Sequence, residues 1–142
     1  MNRTRTFKYA AIAFALAMLA HACAFADAVI VHVKLPDIER HYESHWRDAY
    51  AEKLAQTCKH VETEKKVRGG RADIVTETYA IEIDRAKKWH EAIGQAVHYA
   101  NELKKKPQIA LFNYNALNKA QRKALESVAK KRRITIVALT AE

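Results

Sequence analysis

Gly69-Gly70-Arg71-Ala72-Asp73-Ile74-Val75-Thr76, followed by Tyr79-Ala80-Ile81-Glu82-Ile83-Asp84, decides how this chain is read. Two runs of alternating character, joined by Glu77-Thr78 and opened by a Gly-Gly turn signal, read as adjacent strands. Successive strand residues point to opposite faces. Asp73 and Val75 therefore share one face, with Ala72 and Ile74 on the other. Glu82 and Asp84 share a face opposite Tyr79, Ile81 and Ile83. Paired as a hairpin, the two strands bring Asp73, Glu82 and Asp84 together. Clustered carboxylates repel one another unless a proton or a cation intervenes. Oxygen ligands of this kind suit Mg²⁺ or Mn²⁺, ions that activate water and neutralise charge on a phosphoryl group. A solvated strand face carrying ordinary acids has the same spacing.

Working outward, His60 to Val67 reads as a further strand, which makes an antiparallel three-stranded meander. Upstream of it, Pro36-Asp37 marks a helix start. Tyr42, Trp46, Ala49, Tyr50 and Leu54 then recur at three- and four-residue spacings to about Thr57. Glu43 falls within their arc, an expensive place for an unpaired charge. Downstream, a helix from about Lys87 to Lys105 carries an apolar face of Trp89, Ala92, Ile93, Ala96, Val97, Ala100 and Leu103. Pro107 ends it. Gln108 to Asn113 reads as a buried strand, Ala116 to Lys131 as an amphipathic helix and Ile134 to Leu139 as a β-branched final strand. The predicted order is α-β-β-β-α-β-α-β, an α/β sandwich with a mixed sheet whose later strands are added through crossover helices.

The helix after the acidic strands adds polar chemistry. At about 100° per residue, Lys88, Gln95 and Tyr99 fall on one strip beside the apolar face, and Lys87 does not. Lys88 there can orient water or stabilise an oxyanion, and Gln95 can hold water, a metal shell or a phosphate. Tyr99 and Arg71 are the candidate substrate contacts. The plainer readings are a Tyr99 that is mostly core and a Gln95 that satisfies a buried polar group.

These runs, with Lys88-Trp89-His90-Glu91-Ala92-Ile93-Gly94-Gln95-Ala96-Val97-His98-Tyr99-Ala100, resemble the PD-(D/E)XK nuclease superfamily. Asp73 matches that family's first strand acid and Glu82 the acid of its acid-x-lysine motif. Gln95 with Tyr99 is similar to the glutamine-x3-tyrosine helix motif of RecB-type and lambda-exonuclease-type members. Glu43 falls where many members carry an acid on the first core helix. The resemblance covers roughly residues 41–139. It implies a restriction-endonuclease-like fold, Mg²⁺ or Mn²⁺ held by Asp73, Glu82, Asp84 and Glu43, and hydrolysis of nucleic acid, DNA before RNA. The chain departs from the pattern at Asp84, which fills the family's lysine slot. Lys88 would then supply the missing amine from the helix. The chain also resembles exported bacterial proteins that share an isoleucine-glutamate-x-aspartate run, a lysine-tryptophan pair and a glycine-glutamine helix.

The 142 residues are too few for more than one ordinary domain. Arg3, Arg5 and Lys8, the uncharged run 9–20 and Ala24-Phe25-Ala26 have the order of a secretory signal peptide. The apolar run is short for a membrane span of about 20 residues. The expected organisation is a signal peptide over 1–26 and a nuclease-like domain over 27–142, exported to the periplasm or secreted, with no stable membrane insertion after cleavage. Cleavage removes Cys23 and leaves Cys58 alone, so no internal disulfide supports the fold. The net charge of +9 points to a polyanionic partner such as nucleic acid. Lys104 to Lys106 and Lys130 to Arg133 also suit solvated helix ends. His41 and His45 stand four apart, as a metal pair or an idle surface pair. The reading alternative to a nuclease is a catalytically inactive module on the same fold, binding nucleic acid or serving the cell envelope.

Overall fold

Runs rich in Val, Ile and Thr become strands and the longer three-and-four-spaced runs become helices, as period-two and period-3.6 burial requires. The computed structural model describes residues 27–142, so the segment read as a signal peptide lies outside the described residues. The elements are β1 (Val29–Val33), α1 (Glu43–Ala55), β2 (Val61–Val67), β3 (Gly70–Thr76), β4 (Tyr79–Arg85), α2 (Trp89–Leu103), β5 (Lys106–Phe112), α3 (Lys119–Arg132) and β6 (Thr135–Ala141). Short 3-10 turns lie at Ala86–Lys88 and Tyr114–Ala116.

The six strands form one mixed sheet in the order β1-β6-β5-β4-β3-β2. β2, β3 and β4 are an antiparallel meander, while β4, β5 and β6 run parallel and are joined through α2 and α3. β1 adds parallel to β6 as an outer strand. The expected order lacked this strand, so the observed series begins β-α rather than α. α1 also starts at Glu43, six residues after Asp37, because Tyr42 is still extended (φ −97°, ψ 166°). α3 starts at Lys119 rather than Ala116. There Asn118 accepts from the Gln121 N–H, and the Gln121 side chain accepts from the Asn118 N–H, both at 2.9 Å. That reciprocal cap satisfies two donors that a helix start leaves open.

α1 covers one face of the sheet. Trp46, Ala49 and Tyr50 pack there on Ile74, Ile81, Ile83, Ala110, Phe112, Val137 and Leu139, with Trp46 stacked on Phe112 (centroids 5.2 Å apart). α2 and α3 cover the other, where Trp89, Ile93, Leu125 and Ala129 meet Ile109, Leu111, Ile134 and Ile136. A third cluster joins Ala72, Val75 and Ala80 to Tyr99 and Ala100 of α2. Strict alternation would put Ala72 with Ile74, yet the two pack on opposite faces. The phase slips at Asp73, across from Glu64, whose φ of 54° is left-handed. Gly70 is required by contact, since a Cβ there would stand 2.5 Å from the Tyr99 hydroxyl.

Candidate active site

Both β3 and β4 are seven residues long, but their ladder holds only Ile74 with Ile81 and Val75 with Ala80. Extending that register sets Asp73 against Glu82. At this point the Asp73 carboxylate, not a backbone carbonyl, accepts the Ile83 N–H at 2.8 Å. A side chain thus replaces a ladder bond where the strands part, and satisfies a backbone donor that would otherwise be orphaned. The opening lies at the end of β4 that delivers Glu82 and Asp84.

Four carboxylates share this end. Glu82 is 6 % exposed, and its Oε2 is buried without a hydrogen-bond partner. Burial, then the charges of Asp73, Glu43 and Asp84, push its pKa up to about 9. Glu82 is therefore protonated at neutral pH unless a cation enters. Asp73 is raised by burial, against the lowering effects of the Ile83 N–H, Arg47 and Arg71. Asp84 is raised chiefly by burial, against its bond from the Arg85 N–H at 2.7 Å and the charge of Lys88. Glu43 is raised by burial and then by Asp84 and Asp73. It is the first residue of α1 and exposed overall, rather than embedded in the apolar arc.

Lys88 stands at the N-terminus of α2, exposed, with Nζ 3.6 Å from Glu91. Its charge lowers the pKa of both Asp84 and Glu43, so it borders the cluster. Gln95 is exposed on α2 and makes no side-chain hydrogen bond among the described residues. Tyr99 is buried, with its ring in the cluster of Ala72, Val75, Ala80 and Ala100 and its hydroxyl over Gly70. Arg71 is exposed and reaches Glu64 at 3.1 Å.

Sequence reasoning missed three residues beside the acids. Arg47 lies one turn after Glu43 on α1 and pairs with Glu64 at 2.9 Å and Asp48 at 2.8 Å. Glu64 thereby holds two guanidiniums, Arg47 and Arg71, near Asp73. Glu91 raises Asp84 and pairs with Lys88. The four-residue spacing of Glu43 and Arg47 was the available signal for Arg47; nothing local flags Glu64. His41 and His45 do not form a metal pair. His41 Nε2 bonds the Pro36 carbonyl at 2.8 Å before the helix begins, and His45 Nδ1 accepts the Tyr42 N–H at 3.0 Å.

Among the described residues, no three His, Cys, Asp or Glu side chains close into a formed metal shell. The donor set nonetheless fits a hard divalent cation. It is made only of oxygens, its members hold one another's protons on, and Glu82 Oε2 is a buried acceptor with nothing to accept from. Comparisons of the chain with protein-family models, with curated proteins and with solved structures find no match.

Proposed function

We propose that the chain is a divalent-metal-dependent nuclease-like protein that hydrolyses phosphodiester bonds, DNA before RNA, on a restriction-endonuclease-like variant of the α/β sandwich. The observation that carries this reading is Glu82, a buried carboxyl with an unpartnered oxygen, set against Asp73 where β3 and β4 part. Asp73, Glu82 and Asp84 would hold Mg²⁺ or Mn²⁺, with Glu43 completing the set. The ion, when bound, activates water and neutralises charge on the phosphoryl oxygens. Glu82 would lose its proton if it held the ion. Lys88 lends positive charge at the rim, where it can orient water or an oxyanion. Gln95, exposed on α2, would hold water, the metal shell or a phosphate, and the exposed Arg71 and the buried Tyr99 would be the substrate contacts. The basic, apolar and small-residue order of 1–26 supports export.

The test is cleavage of single-stranded DNA, double-stranded DNA and RNA by purified protein with Mg²⁺, Mn²⁺ or EDTA. Metal-dependent cutting that Asp73→Asn abolishes is expected. No cutting of any substrate overturns the reading. One feature favours a second reading: Asp84 occupies the slot where the resembled family carries lysine. A non-catalytic binding module on the same fold predicts salt-sensitive nucleic-acid binding that survives Asp73→Asn, with no cleavage.

A further inference from the structure

The end of the sheet opposite the carboxylates gathers an unbalanced set of cations. In the parallel register of β5 and β6, Gln108 pairs with Thr135. α2 and α3 therefore both end at the edge of the sheet where β5 and β6 begin, and Lys104 to Lys106, ending α2, and Lys130 to Arg133, ending α3, gather at this rim. It lies about 17 Å along β4 from Asp84, five residues at strand rise. Lys104, Lys106 and Lys130 to Arg133 are exposed, and none of them has an ion pair among the described residues. Lys105 donates to the Glu77 carbonyl at 2.6 Å, and the Glu77 carboxylate is itself occupied by the His60 N–H at 2.8 Å.

Helix dipoles alone account for cations in a last turn, but not for where two of these sit. Both helices end in left-handed caps, at Lys104 (φ 55°) and Arg133 (φ 54°). Glycine is the residue that such caps favour. At both equivalent places a long cationic side chain is kept in a conformation that costs an L residue energy.

We propose that this rim is a docking surface for the phosphate backbone of a double-stranded nucleic acid. Its chemistry is that of lysine and arginine point charges without aromatic platforms, which suits phosphates and offers nothing for stacking unpaired bases. Of the exposed large apolar side chains, Ile38 and Tyr42 lie in the segment after β1, while Val29 and Ile30 begin β1 beside the start of β6, so anionic lipid is the competing ligand that the test must separate from duplex. The proposal goes beyond hydrolysis and does not need it.

The test is fluorescence anisotropy of a short DNA duplex with the full chain in EDTA, over a range of salt. Replacing Lys130, Lys131 and Arg132 by Gln should weaken binding tenfold or more. The salt slope should fall by about 0.9 for each phosphate that the variant no longer neutralises. A control triple of the exposed Lys34, Lys66 and Lys119 to Gln should stay within twofold. Lys104→Gly with Arg133→Gly should weaken binding while raising thermal stability, because glycine relaxes both caps. Equal losses in both triples, no duplex binding by the parent at low salt, or binding to anionic lipid vesicles but not to duplex would each overturn the proposal. Failure of metal-dependent cleavage with rim-dependent binding intact would count against the nuclease reading alone.

Discussion

Gln108 and Glu82 are buried to the same degree, 5 % and 6 % exposed, on neighbouring strands of one sheet. Gln108, near the start of β5 and on the α1 face, gives its amide N–H to the Tyr50 hydroxyl at 2.8 Å. Thr76, also buried at that end, accepts the Tyr79 N–H at 3.0 Å. Toward the other end of β4, Glu82 Oε2 meets no donor and faces three more acids. One end of the sheet satisfies its polar groups within the chain; the other leaves a buried, protonated carboxyl with an unpartnered oxygen. An unsatisfied buried polar group costs about 1–3 kcal/mol, a cost that a cation entering on the proposed reading would offset.

The largest effect that sharpens this contrast is on cleavage. Asp73→Asn keeps an oxygen for the Ile83 N–H but removes a charge, so metal-dependent cutting should fall roughly a hundredfold or more, the scale of losing one preorganised electrostatic group. Thermal unfolding should stay near the parent. Wild-type cutting by this variant would break the comparison. At the satisfied end, Tyr50→Phe strands the Gln108 amide and should cost about 1–3 kcal/mol in urea unfolding, with little change in metal affinity.

The third prediction concerns pH without metal. The Glu82 carboxyl in the folded chain ionises near pH 9, against an ordinary value of 4.5. Between these values the folded state holds a proton that the unfolded state has lost, so stability is full below about pH 4.5 and declines as pH rises toward 9. Glu82→Gln should flatten that decline and gain stability relative to the parent as pH rises from 5 to 8. A parent that gains stability from pH 5 to pH 8 through this group would contradict the assignment. The smallest effect belongs to the exposed Lys88–Glu91 pair. Lys88→Met should move stability by under about 0.5 kcal/mol, while a role at the rim requires a clear loss of cleavage.

Period and turn chemistry made most of this architecture legible before any coordinates. The meander and both crossover helices follow from local pattern. What escaped depends on distant partners. β1 is five residues long and becomes a strand only by lying along β6, more than a hundred positions away. Where β3 and β4 part, the Asp73 carboxylate takes the Ile83 N–H, and alternation cannot foresee a slip in its own phase. Arg47 joins the site through Glu64, again a tertiary contact. The histidine pair failed as a ligand set because α1 begins two residues after His41.

The buried-carboxylate account is tested most directly by titrating the protein with Mn²⁺ or Mg²⁺ at pH 7.5 in buffers of different ionisation enthalpy. Calorimetry then reads both affinity and proton release. A cation that needs the Glu82 carboxylate must displace its proton, so binding should release about one proton, and Glu82→Gln should abolish that release and weaken binding. Binding that releases no proton, or that Glu82→Gln leaves unchanged, would contradict the account.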